Sequence, residues 1–292
     1  MFRQSKNRGG DENRGAVASL DLQLRDLALA CVGRLLFAEE DVEPLGAEQT
    51  CLHDSYDVLR DVDIRQALNN CLTRTAAIDA QIANLARLLR LSDVEVMALT
   101  LALMVEEEPM IGRVLAHIQA PMGGSRPTLG MLETALAPLS PEGEGWVTGA
   151  MLAGPAIGAG ALVLLNQQAP LPEQTLKVPM GLALLLRGKA FTWPGCGDIS
   201  RAEPVRLPVS TLQEAARQAG ALGREDDSVL VIRSASRREA RAVASEVAVQ
   251  SQRTPLLVSA APDDLQGLGL ACRISARLPV FEYGLGAEEQ AL

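Results

Sequence analysis

Between Leu91 and Leu139 the chain is punctuated so closely that few folds accommodate it. Ser92-Asp-Val-Glu95 is an S-x-x-E capping box, in which Ser and Glu each satisfy an orphan backbone N–H at a helix start. An apolar run follows from Val94 through Met97, Leu101 and Met104 to Val105, and Pro109 stops it. A second short helix carries Ile111, Val114, Leu115 and Ile118 and ends at Pro121-Met-Gly-Gly124. Arg126-Pro-Thr-Leu-Gly-Met-Leu-Glu-Thr-Ala-Leu136 reads as a third, with Pro127 tolerated in its first turn. Three short helices with these stops point to a helical core of the winged-helix kind.

Upstream, Leu20 to Glu40 is a helix by its stripe of Leu24, Leu27, Cys31 and Leu35, and Glu39-Glu-Asp41 with Pro44-Leu-Gly46 end it. Ser55–Arg74 and Thr75–Leu91 read as two more helices, the second with the stripe Ile78, Ile82, Leu85, Leu89. Met1 to Ala18 has little to bury and reads as a disordered tail. Downstream, Gly145–Ala153 is a short helix. Gly158–Leu165 and Gln174–Val178 form a hairpin, the expected wing, and Pro179–Arg187 is a closing helix.

Glu106-Glu-Glu108 places three carboxylates at a helix end, where the macrodipole favours cations. Either this is a solvated turn, or the acidic corner meets an arginine of a neighbouring domain or subunit. Glu106, Glu107, Glu108 and Arg126 are the candidate docking residues. DNA binding is disfavoured. The third helix has only Arg126 and Glu133 as charges and no Asn or Gln to read base edges. From Ser92 to Lys189 there are five basic residues against nine acidic ones, the wrong balance for phosphate.

Residues 188–209 hold Pro194-Gly-Cys-Gly197, Pro204 and Pro208 with almost no periodic apolar pattern, and read as a linker pinned by Trp193. Beyond it, Ser210-Thr-Leu-Gln213 caps a helix that stops at Gly220. Val229-Leu-Val-Ile232 is a buried strand by pattern, Ser236–Gln252 a helix and Pro255–Val258 a second strand, giving a βαβ unit. The fold class expected is mainly α with an α/β C-terminal part. Its layout is a tail (1–18), a helical and winged-helix domain (19–187), a linker (188–209) and an incomplete P-loop-like segment (210–292).

The order of Leu91-Ser-Asp-Val-Glu-Val-Met-Ala-Leu-Thr-Leu-Ala-Leu103, Glu108-Pro-Met-Ile-Gly-Arg113 and Arg126-Pro-Thr-Leu-Gly130 resembles the winged-helix segment of a bacterial group of AAA-type ATPases that accompany contractile injection systems. The likeness runs from about Ile78 to about Phe281. It implies a winged helix ahead of a nucleotide-binding module, with ATP and magnesium as cofactors, and places the phosphate loop at Arg233 to Ala240. In P-loop proteins that turn reads G-x-x-x-x-G-K-[ST]. Here the first glycine is Arg233, the second Arg238, the lysine Glu239 and the magnesium-binding hydroxyl Ala240. Ser236-Arg-Arg-Glu239 is instead a capping box, so the helix N-terminus that would hold phosphate is capped by the protein's own side chains. The expectation is a self-occupied remnant that binds no cofactor and does not hydrolyse ATP. The competing reading gives Arg233, Arg237, Arg238 and Arg241 to another anion.

The resemblance makes the chain a docking and assembly module for a large protein complex, with a contractile-machine component or another copy of itself as partner. Two alternatives stand beside it. One is the front part of an active ATPase whose working site lies beyond Leu292; the expected sheet has too few strands to close a core, which favours a fragment of a longer protein. The other is a winged-helix DNA regulator.

Five cysteines at wide spacing, without a C-x-x-C pair, read as thiols in a reducing cytosol rather than metal ligands or disulfides. His53 and His117 are too isolated for a metal site or a nucleophile's base. The N-terminus is polar, no apolar run reaches membrane length and the net charge is −9. A soluble cytoplasmic protein is expected, without membrane or nucleic-acid partners.

Overall fold

The computed structural model describes residues 22–37, 46–121, 124–140, 146–199, 205–222, 228–259 and 265–283. They fall into two compact units, one ending at Lys189 and one beginning at Ala190. The first is helical with a two-stranded hairpin; the second has a three-stranded sheet and helices. The tail Met1–Ala18 and the stop at Glu39–Asp41 lie outside the described residues.

The first unit is built around one buried helix. Its helices are α1 (Leu24–Phe37), α2 (Ala47–Leu59), α3 (Ile64–Thr73), α4 (Ala80–Leu89), α5 (Asp93–Glu107), α6 (Pro109–Ile118) and α7 (Leu129–Ala135). They continue with α8 (Trp146–Ala153), the four-residue α9 (Pro155–Gly158) and, after the hairpin, α10 (Met180–Leu186). Every residue of α5 from Val94 to Met104 is buried, as befits a helix apolar almost all round, with Glu95 and Thr100 the polar exceptions. Around it pack α1, α6, α8, α10 and the second hairpin strand.

Local chemistry sets the boundaries, and in several places it moves the expected ones. The helix expected over Ser55–Arg74 is two. Arg60–Val62 interrupt it, and the Asp63 carboxylate accepts from the N–H groups of Arg65 and Gln66 to start α3 afresh. Thr128, not Arg126, opens α7: its hydroxyl accepts from Met131 N–H, so Pro127 precedes the cap rather than sitting in the first turn. Residues 155–158 are helical, which confines strand β1 to Val163–Leu165, antiparallel to β2 (Thr175–Lys177). Thr175 also bridges Thr128 just ahead of α7.

In the second unit the expected linker is partly structured. Trp193 is buried and meets Phe191 edge-on at 4.8 Å. Cys196–Asp198 form β3, and α11 runs Val209–Leu222, so Ser210 lies inside the helix rather than at a cap. Helix α12 (Arg237–Gln250) leads to β4 (Thr254–Val258), α13 (Leu268–Ile274) and β5 (Arg277–Phe281). Strand β4 is central, antiparallel to β3 and parallel to β5.

The β-α-β unit is therefore β4-α13-β5, one step later than the sequence suggested. Val229–Ile232 form no strand; Val229 is 85% and Val231 70% exposed, while Leu230 packs on the α11–α12 cluster of Ala215, Ala219 and Val247. Four apolar residues rich in β-branching satisfy strand propensity, but a strand also needs a hydrogen-bonding neighbour. The free edge of β5 is blunted. Thr254 N–H donates to the Ala276 carbonyl, and the alternation of a parallel ladder then turns Pro279, which has no N–H, to the outside.

Candidate functional site

The turn expected to hold phosphate is filled by its own side chains. Ser236 is the N-cap of α12, its hydroxyl accepting from Glu239 N–H at 3.4 Å. The return half of the box runs through one more residue: Ser236 N–H donates to Ser234 Oγ at 3.1 Å, and the Ser234 hydroxyl donates to Glu239 Oε2 at 2.8 Å. A carboxylate thus lies at the positive end of α12, where an anion would otherwise sit. Arg233, Arg237 and Arg238 are exposed, and Ala240 begins the helix ladder with its N–H on the Ser236 carbonyl.

Two of the four candidate anion-binding arginines face a carboxylate of their own unit. Arg241 holds Glu282, just past β5, by two bonds of 3.2 and 2.6 Å. That hydrogen bonding lowers the Glu282 carboxyl below its ordinary range and raises the Arg241 guanidinium; the charges of Arg241 and Arg237 lower Glu282 further. Arg241, and in part Arg237, are therefore drawn to a carboxylate of the same unit.

The acidic corner of the first unit meets three arginines, all from that unit. Glu106 Oε1 accepts from Arg126 at 2.8 Å, Glu107 Oε1 from Arg187 Nε at 2.9 Å, and Glu108 pairs with Arg25. Three consecutive carboxylates at the end of α5 thus tie it to the start of α1, the approach to α7 and the end of α10. Sequence reasoning named Arg126 but missed Arg25 and Arg187, which lie 83 and 80 residues from their glutamates. The Arg126 and Arg187 pairs offset the macrodipole cost at the end of α5, where the last turn has no basic residue of its own.

Two buried carboxylates hold further helix starts. Glu95, 2% exposed, accepts from Ser92 N–H at 2.8 Å and from the Ser92 hydroxyl at 2.7 Å with Oε2, and from Ala156 N–H at 2.8 Å with Oε1. The capping box of α5 therefore also serves α9, and Gly154 makes room for it. A Cβ at Gly154 would lie 2.2 Å from Glu95 Oε1 and 2.4 Å from the Ala150 carbonyl oxygen.

Asp79, 3% exposed, accepts from the first N–H of α1, that of Leu24, at 2.9 Å. Burial raises its carboxyl above the ordinary 3.8; the Leu24 hydrogen bond and the Arg187 charge lower it, and Asp26 raises it again. A raised folded-state value means that the folded form holds this proton more tightly than the unfolded chain. The contribution is complete below 3.8 and is lost as pH rises through the raised value. Wild-type stability relative to Asp79→Asn is therefore expected to be highest in acid, to decline across that window and then to level off. Parallel urea titrations of the two proteins over pH check the sign; a difference that grows toward neutral pH contradicts it.

Burial pushes the thiols of Cys31 up to about 12 and of Cys71 and Cys272 up to about 11, so these three are protonated at neutral pH and make poor nucleophiles. His53 meets Phe37 edge-on at 5.2 Å, and His117 lies 3.1 Å from the Gln49 amide. Among the described residues no three His, Cys, Asp or Glu side chains are grouped to hold a metal ion, and no helix is long and apolar enough to cross a membrane. Comparison with protein-family models, with curated proteins and with solved structures finds no match.

Proposed function

We propose that this chain is a docking and assembly module of the ATPase type, with a phosphate loop that does not work, serving a large protein complex. The observation that carries the reading is the cap of α12. Ser236, Ser234 and Glu239 satisfy one another at the helix N-terminus, and a carboxylate stands where the attractive lysine of a working loop is required. The AAA-type kinship and the contractile-machine setting rest on the sequence resemblance. The hairpin β1–β2, with its bridge from Thr175 to Thr128 after three short helices, supports the winged-helix part.

The same geometry weakens a DNA-binding role for α7. Arg126 is engaged with Glu106, and the Glu133 carboxylate accepts from Thr148 N–H at 2.7 Å. Calorimetry with magnesium-ATP on the full chain is expected to show no binding in the micromolar range. A micromolar Kd overturns the remnant reading.

A second reading is favoured by one observation. Val229 and Val231 are 85% and 70% exposed in a stretch that forms no strand. Exposed apolar side chains grouped in this way are often covered by further polypeptide. Covering by further polypeptide fits the front part of an active ATPase whose working site lies beyond residue 292. The intact mass of the native protein separates the readings: a value well above 31.0 kDa favours the second.

A further inference from the structure

The first unit contains a cleft of about 610 Å³ that none of the ion pairs above enters, with the α7 cap residue Thr128 in its lining. Its size is that of a site for a small ligand or a few side chains. Leu36 of α1, Ile118 of α6, Met131 of α7 and Pro172 of the hairpin loop give it apolar walls. Two of the polar groups around it are already committed. Gln119 donates to the carbonyls of Gly124 and Arg126 and accepts from Thr128 N–H. Asn166 donates to the Glu173 carbonyl and accepts from both the N–H and the hydroxyl of Thr175.

Glu173 differs from them. It is the charged group among the lining residues, it is half-buried, and its carboxylate has no hydrogen bond from any described residue. Apolar walls beside one solvent-accessible carboxylate that no described side chain pairs suit a branched apolar group carrying a cation. A guanidinium suits best, because its planar fork meets both carboxylate oxygens and loses little hydration. The chain's net charge of −9 also steers cationic partners toward it.

We propose that this cleft docks a segment of a partner protein that presents a leucine-like side chain next to an arginine. The inference rests on the docking reading and gives it a site and a partner chemistry. It is tested on the full chain with methyl-labelled methionines, the Met131 signal being identified by its loss in Met131→Leu. The probes are N-acetyl-leucyl-arginine amide and its neutral isostere N-acetyl-leucyl-citrulline amide.

The Met131 methyl is expected to shift saturably in the millimolar range, about fivefold more tightly with the arginine probe, as an ion pair of modest strength gives. Glu173→Gln is expected to abolish that preference and leave the citrulline affinity unchanged. A silent Met131 signal, or equal affinity for the two probes, overturns the proposal. Its failure is distinct from that of the docking reading. If partners co-purify with the wild type and with Glu173→Gln alike, docking stands and this cleft does not serve it. If the wild type retains no partner at all, the docking reading itself falls.

Discussion

Gly154→Ala is expected to destabilise the first unit by about 3–4 kcal/mol, a large effect for one methyl group on a backbone that is not itself strained. Gly154 has φ −80 and ψ 159, values open to any residue, so the cause is not conformational preference. The new Cβ would stand 2.2 Å from Glu95 Oε1 and 2.4 Å from the Ala150 carbonyl oxygen. Neither neighbour yields cheaply. The carbonyl belongs to the last turns of α8, and Glu95 is 2% exposed with three accepted hydrogen bonds. Moving the carboxylate orphans the N–H groups of Ser92 and Ala156, each at about 1–3 kcal/mol when buried.

The measurement uses the chain's two tryptophans, since Trp146 lies in the first unit and Trp193 in the second. In a Trp193→Phe background, urea unfolding followed by Trp146 fluorescence reports the first unit alone. A midpoint shift equivalent to less than about 1 kcal/mol shows that α8 and α9 yield, and that Glu95 is not held as rigidly as its three bonds imply. A Glu95→Ala control separates the two clashes, because its double mutant with Gly154→Ala keeps only the one with Ala150.

Features encoded within a few residues of one another were legible in the sequence. Ser92 and Glu95 form their box, Ser236 caps α12, and the apolar run Val94–Val105 becomes the buried helix. The hairpin was found as well, though β1 is shorter than its apolar pattern because Pro155 starts a turn of helix first. What escaped depends on distant residues. Asp79 caps a helix 55 residues upstream, and Glu95 reaches Ala156 across 61 residues; no local pattern announces either.

Val229–Ile232 failed for the opposite reason. Its composition is that of a strand, but pairing is a property of a neighbour, and β5 presents Pro279 on its free edge. The candidate phosphate turn was readable because charge and cap chemistry are local. The acidic corner was visible as an anomaly while two of its three partners were not, since an arginine looks the same in sequence whether or not a carboxylate awaits it.

Those partners differ in weight, and Arg187→Ala is expected to cost about 2–3 kcal/mol where Arg126→Ala costs less than about 1 kcal/mol. The Arg126 and Glu106 side chains are 39% and 28% exposed, and those of Arg25 and Glu108 39% and 36%. Solvent screens such pairs, and side-chain ordering consumes most of the gain. The Arg187 side chain is 12% exposed and holds Glu107, itself 30% exposed, at 2.9 Å, so burial is on the arginine's side. It also lowers the carboxyl of buried Asp79, so its loss leaves one carboxylate unpaired and another, already pressed by Asp26, without a nearby cation. Breaking a buried charge arrangement from one side is costly because the remaining charge keeps its desolvation penalty. The two routes separate in an Asp79→Asn background. If Arg187 acts through Asp79, Arg187→Ala costs clearly less there, and in the wild type its deficit shrinks as acid protonates Asp79. An unchanged cost in both backgrounds assigns the whole effect to Glu107 and makes the corner of α5, rather than the cap of α1, the place where this arginine matters.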